Sequence, residues 1–248
     1  MESNEYVIKL SHVGKRYRKR VSKIFDYKDK FLRRESGGKE YWSLKDISLN
    51  VRQGDTLAIL GGNGSGKSTL LKIILGVTAP TTGTVEVKGK IGGLIELGAG
   101  FHKEMTGREN IYINGVVLGL KEKEIDALMD DIIAYSELEE YIDSPIKQYS
   151  SGMKVRLGFS IAIHVQSDII LLDEVLAVGD ARFRKKAMSS IKSYLKDKTI
   201  LFVSHSTSQV RNICEKAIVL DHGKIIYSGD TESAIKFYEE NIVQKEKD

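Results

Sequence analysis

One glycine-rich run carries most of the chemistry that this sequence advertises: Gly61, Gly62, Asn63, Gly64, Ser65, Gly66, Lys67, Ser68 and Thr69, with the spacing Gly-x4-Gly-Lys-Ser. Glycines let successive backbone N–H groups converge on an oxyanion, and the lysine adds a point charge, so the run is a cradle for a nucleotide's phosphates. Lys67 would lie near the β and γ oxygens, Ser68 would hold Mg2+, and Thr69 would contact phosphate nearby. The apolar stretch "TLAIL" precedes the run and the amphipathic "KSTLLKIILG" follows it. That strand–loop–helix context separates a phosphate loop from a plain glycine turn.

A phosphate loop needs a metal ligand and a base if it is to hydrolyse what it binds. In "IILLDE" four apolar residues end in Asp173 and Glu174. The strand's carboxyl end is where open α/β sheets place ligand chemistry. Asp173 would orient Mg2+ through its water shell and Glu174 would polarise the attacking water as general base. Alone, such a run also fits a strand ending in a solvated acidic turn; beside the phosphate loop the catalytic reading is the stronger. "LFVSHS" ends a further apolar run at His205. A lone strand-end histidine is more often structural, but a hydrolytic site on this edge needs a γ-phosphate sensor.

A second anion site is written at "YSSGMKVRLGFS", residues 149–160, where two serines and a glycine open a helix pattern with apolar residues on one face. Helix N-termini of this kind hold anions. An ordinary capped helix is the bland alternative.

These residues must be positioned by an α/β framework. "YVIKLSHV" and "LKDISLNV" read as an antiparallel start before the turn "RQGD", followed by the loop and its helix. From about Thr106 to His164 helical patterns dominate, a helical subdomain inserted at about 100–165. Beyond it "DIILLDE", "KKAMSSIKSYL", "TILFVSH", "SQVRNICE", the hairpin "KAIVLDHGKIIYSG" and the helix "TESAIKFYEENI" alternate, before a short charged tail. We expect one domain over 1–248, with no internal repeat and no low-complexity linker.

Composition sets the surroundings. With 41% hydrophobic and 29% charged residues and a single cysteine, Cys214, the chain reads as globular and without a disulfide framework, which suits a reducing cytoplasm. No apolar run approaches a membrane span and "MESNEYVIKL" is too polar for a signal peptide. The net charge of +4 is too mild to imply nucleic acid, but residues 15–34 hold ten Lys or Arg against Asp26 and Asp29, a local net of +8. Within this insert Ile24, Tyr27 and Phe31, with Phe25, Lys28 and Leu32 one position round, recur at helical spacing. The resulting apolar stripe is flanked by Lys23, Lys30, Arg33 and Arg34. It reads either as a helix packed on the domain or as a basic face for anionic lipid or a pyrophosphate group.

In this order the pieces resemble the ATP-binding domain of ABC transporters, over nearly the whole chain. The resemblance implies a P-loop NTPase (RecA-like) core with an antiparallel β subdomain and the inserted helical subdomain. It implies an ATPase using ATP and Mg2+ and a homodimer paired head to tail. There "YSSGM" stands where the family has its Leu-Ser-Gly-Gly-Gln signature, so Ser150, Ser151, Gly152 and Met153 would close over the other subunit's ATP. Tyr17 matches the aromatic that stacks on adenine, although a tyrosine in a basic stretch also fits plain surface. Asp180 matches the D-loop aspartate that contacts the opposite subunit, and His205 the switch histidine. Departures are Ser151 for glycine, Met153 for glutamine, a D-loop without proline in "DEVLAVGD", and no glutamine in "LIELGAGFHKEMTGREN", where Glu96 is the nearest Q-loop candidate.

"ELGAGFHKEMTGREN", "YSSGMKVRLGFSIA" and "DEVLAVGDARFRKK" further resemble the branch that exports lipid-linked cell-surface polysaccharides such as capsule, O-antigen or teichoic acid. That resemblance implies a separate integral membrane permease as partner, a peripheral place on the cytoplasmic face of the cell membrane, and no nucleic acid. Some relatives carry a C-terminal carbohydrate-binding domain, which we do not expect here. The competing readings are a soluble ABC ATPase acting on ribosomes or nucleic acid and a regulatory subunit that does not hydrolyse. The intact Lys67, Asp173, Glu174 and His205 argue against the last.

Overall fold

The structure, a computed structural model, describes residues 5–18, 40–94, 100–173, 180–204 and 206–244. In chain order the first half contains β1 (Tyr6–Arg18), β2 (Glu40–Arg52), β3 (Thr56–Leu60), α1 (Lys67–Ile74), β4 (Thr82–Val87), β5 (Ile91–Leu94), α2 (Gly107–Val117) and α3 (Glu122–Ser136). The second contains α4 (Ser151–His164), β6 (Ile169–Asp173), α5 (Ala181–Tyr194), β7 (Thr199–Val203), α6 (Thr207–Ile213), β8 (Lys216–Asp221), β9 (Lys224–Asp230) and α7 (Thr231–Tyr238).

Two sheets form. One is antiparallel, in the order β2-β1-β4, and the other runs β5-β6-β7-β3-β8-β9, parallel except for the β8–β9 hairpin. The central strands are short and mostly apolar because both of their faces are covered. Ala58, Leu60, Ile170, Leu172, Ile200, Phe202, Ala217 and Val219 face a layer built from α4, α5, α6 and α7, with Phe159, Phe183, Val210 and Ile235 at its centre. The alternate residues Leu57, Ile59, Ile169, Leu171, Leu201, Val203, Ile218 and Leu220 face α1 and the antiparallel sheet. Phe183 is fully buried, so its truncation to alanine costs about 3–5 kcal/mol.

Between β5 and β6 the chain builds a third cluster from Ile111, Ile125, Met129, Ile132, Leu138, Ile142 and Tyr149. α2 starts with a complete capping box, Thr106 Oγ1 accepting from Glu109 N and Glu109 returning to Thr106 N. α4 connects this cluster to the main sheet, since Leu157 and Ile161 enter the helical cluster while Phe159 and Ala162 enter the sheet layer.

The sequence reading differs from the structure in its boundaries. β4 and β5 carry no called pattern, β1 continues through Arg18 into the basic stretch, and α5 begins at Ala181, before "KKAMSSIKSYL". The amphipathic pattern at 23–34 and the last four residues of the charged tail lie outside the described residues.

Candidate nucleotide site

The phosphate loop leaves β3 and enters α1 through backbone that only glycine accommodates. Gly66 has φ 114 and caps α1, and a Cβ there would approach Ser43 O and Leu44 Cδ2 at 2.8 Å. Gly61 lies so close to β8 that a Cβ would meet Leu220 O at 2.3 Å. Lys67 is buried, and its Nζ donates to Gly61 O at 2.7 Å and Gly62 O at 2.9 Å, so the ammonium lies across the mouth of its own loop. Gly64 and Asn63 are exposed at the loop's tip, as is Ser68 at the first turn of α1.

Neighbouring elements brace the loop. Ser43 Oγ on β2 lies 2.8 Å from Thr69 Oγ1. Gly223, in the β8–β9 turn, donates its N–H to Ser65 O at 2.9 Å, and its own carbonyl accepts from Lys45 N at 2.7 Å. Ser65 Oγ is buried without a hydrogen-bond partner. An orphaned buried hydroxyl costs about 1–3 kcal/mol. A glycine cradle containing that hydroxyl and a buried ammonium fits a polyphosphate ligand.

Register brings one further sequence candidate, Asp173, to the same edge. Asp173 of β6 pairs with Val203 of β7, and Val203 pairs with Ile59 of β3, so three strand ends stand in one row beside the loop. The side chain of Asp173 and all of Glu174, His205 and Glu96 lie outside the described residues. Ser204 is buried, and its Oγ accepts from Ser206 N at 3.0 Å, which ties together the residues flanking position 205. Among the described residues no group of three or more acidic, histidine or cysteine side chains could hold a metal. Of the expected Mg2+ ligands, Ser68 alone has its side chain among the described residues. A cleft of about 610 Å3 lined by Arg52, Asp55, Lys216 and Asp230 opens at the opposite edge, where β3 and β8 begin.

Ser150 caps α4, its Oγ accepting from Met153 N at 3.2 Å. Ser150 and Ser151 are exposed, Gly152 is half-buried, and Met153 packs against the helical cluster. A Cβ on Gly152 would meet nothing nearer than Ser150 Oγ at 3.8 Å. Packing within the chain therefore does not demand glycine there, whereas close approach by a ligand would.

Asp180 caps α5, accepting from Phe183 N at 2.9 Å, and pairs with Arg156 of α4. The Phe183 N–H first and the Arg156 guanidinium second hold its carboxyl below the ordinary value near 3.8. Arg156 also stacks over Phe183, 5.0 Å from the ring centroid, and lies 3.7 Å from Glu137. Tyr17 packs at a tilt on Tyr41, with centroids 5.8 Å apart, and Lys15 Nζ lies 5.3 Å from its ring centroid. Sequence reasoning missed Ser43, Tyr41, Gly223 and Arg156. Only Arg156 had a local signal, a lone arginine on the helix opened by Ser150.

The ABC transporter family model matches residues 44–177. The chain is 44% identical over 238 residues to the teichoic acids export ATP-binding protein TagH of Levilactobacillus brevis, covering 96% of this chain and 66% of that protein. It is 46% identical over 204 residues to the O-antigen export system ATP-binding protein RfbB of Klebsiella pneumoniae, covering 82% of this chain and 83% of that protein. The RfbB of Myxococcus xanthus is 42% identical, and the chain spans 57% of its length. Among solved structures, a dimeric ATP-binding cassette in a post-hydrolysis state bound to ADP and Pi superposes with a TM-score of 0.69 at 23% identity, covering 90% of this chain and 98% of that one. That likeness establishes the fold as the cassette's α/β P-loop architecture. A phosphate loop braced by β2 and the β8–β9 turn, a row of strand ends beside it, and a helix N-terminus open to a ligand thus sit in a chain that belongs to the ABC transporter family.

Proposed function

We propose that the chain is the ATP-hydrolysing subunit of an exporter, bound to a separate integral membrane permease at the cytoplasmic face of the cell membrane. Its cargo is a lipid-linked cell-surface polysaccharide. The observation that carries the reading is the braced phosphate loop with its buried Lys67 and orphaned Ser65 hydroxyl, in a chain whose relatives are named for teichoic acid and O-antigen export.

In this reading Tyr17 stacks on adenine, the loop residues 61–69 hold the phosphates, and Lys67 moves its ammonium from the loop carbonyls toward the γ-phosphate. Mg2+, held by Ser68 and through water by Asp173, would neutralise charge on the β and γ oxygens. Glu174 accepts a proton from the attacking water, and His205 senses the γ-phosphate. Ser150, Ser151, Gly152 and Met153 complete the site of a second copy, so the working form is a homodimer, with Asp180 near the junction. Glu96, the Q-loop candidate, would serve the permease interface more than the metal, because a carboxylate at the metal would add negative charge to an anionic centre.

The test is export in cells that make the chain. Lys67→Ala should strip the polymer from the surface and leave it lipid-linked inside; undiminished surface polymer would contradict the reading.

A further inference from the structure

Two irregularities of the antiparallel sheet coincide on its exposed face. β1 and β2 pair Leu10 with Leu49, Val13 with Ile47 and Lys15 with Leu44. Strand β1 thus carries one extra residue between the first two rungs, and β2 carries one between the last two. Within these bulges His12 has φ 52 and Asp46 has φ 56. Glycine reaches this left-handed region freely, whereas a side chain there is strained. Bulges re-aim side chains, and here they bring His12 Nδ1 to 2.7 Å from Asp46 Oδ1. The pair fills no core, its side chains being 81% and 73% exposed.

Trp42, the sole tryptophan of the chain, lies beside the pair and stays 39% exposed. Its ring rests on Gly14, where a Cβ would come within 2.9 Å of it. The Arg16 guanidinium, held by Glu40 at 3.0 Å, lies 5.6 Å from the ring centroid. Trp42, His12, Lys45, Asp46 and Thr82 line an open hollow of about 310 Å3.

We propose that this hollow binds a neutral sugar ring, a unit of the exported polymer; the assignment rests on the export reading above. The part of the indole that Gly14 and Arg16 leave exposed offers an apolar surface to the C–H groups of a pyranose. Around it stand an acceptor, the second oxygen of Asp46, a donor, the ammonium of Lys45, and the free ring nitrogen of His12, a mixed set that suits vicinal hydroxyls. The Asp46 carboxylate disfavours a phosphate ligand, and Lys45 disfavours a cation. A fatty chain would find one aromatic ring and four polar side chains. The hollow therefore engages the glycan portion of the substrate on the cytoplasmic side and leaves the lipid to other surfaces.

Because Trp42 is the sole tryptophan, its emission reports the site directly. Purified chain is titrated with delipidated polysaccharide released from the surface of cells that make this protein, and with inorganic phosphate as an anion control. Saturable quenching or a blue shift with polysaccharide and none with phosphate is expected. His12→Gly and Asp46→Gly retain the bulge conformation at lower strain. They should unfold no earlier than the parent while binding about tenfold or more weakly, and Trp42→Ala should bind as weakly by calorimetry. Unchanged emission with polysaccharide, an equal response to phosphate, or parent-like binding by the glycine variants would overturn the site. If Lys67→Ala cells lose their surface polymer while no sugar reaches Trp42, the export reading stands and this site alone fails.

Discussion

Ser43 Oγ lies 2.8 Å from Thr69 Oγ1, so a residue of the antiparallel sheet pins the first turn of the helix that follows the phosphate loop. The bond is part-buried and joins residues 26 positions apart. Ser43→Ala removes one partner and leaves the Thr69 hydroxyl to its own hydrogen-bonding options. Thermal unfolding should show a loss of about 0.5–1.5 kcal/mol, and titration with a fluorescent ATP analogue should show weaker binding because the loop's far end is less fixed. Parent-like affinity would make the contact purely structural.

Asp180 joins α4 to α5 through Arg156 and a backbone cap. Asparagine caps a helix as well as aspartate does, so Asp180→Asn isolates the charge. The folded carboxyl titrates below its ordinary value near 3.8. Its stabilisation is therefore complete above that pH and fades as the pH falls through the folded value. Melting temperatures of parent and variant should differ at neutral pH and converge below about pH 3.8. A gap constant with pH would mean that the ion pair contributes nothing.

Cys214 is buried at the C-terminal end of α6, and desolvation pushes its thiol up to about 12 from an ordinary value near 9. The reactive thiolate is thus scarce in the folded chain at pH 8. Ellman's reagent at pH 8 should label Cys214 only as fast as the chain unfolds, and labelling should accelerate with urea in step with the loss of helix signal. Rapid stoichiometric labelling of native protein would show that this layer opens locally.

The framework around the loop was legible because its signals are local. "TLAIL" and "TILFV" are apolar on both faces, and "SSGM" carries its own cap. β4 was not, since "TGTVEV" is an edge strand without a buried side chain, and β5 is four residues with two glycines. The start of α5 was hidden because its first turn reads as charge, Arg182 and Arg184 around a single buried Phe183, and because Asp180 was read as a contact rather than a cap. Ser43 and Gly223 act on the loop through tertiary contacts that no spacing encodes. The bulges at His12 and Asp46 were invisible for the same reason: a one-residue offset between strands appears only once the strands are paired.

The most direct test of the account asks whether one catalytic site is built from two chains. Lys67→Ala removes the phosphate loop's ammonium, and Ser150→Arg blocks the N-terminus of α4; each variant alone should be inactive in steady-state ATP hydrolysis. Mixing the two purified variants forms dimers in which the intact loop of one chain faces the intact helix of the other. ATPase activity should reappear on mixing. Full activity of Ser150→Arg alone, or a mixture as inactive as its components although heterodimers form, would contradict it.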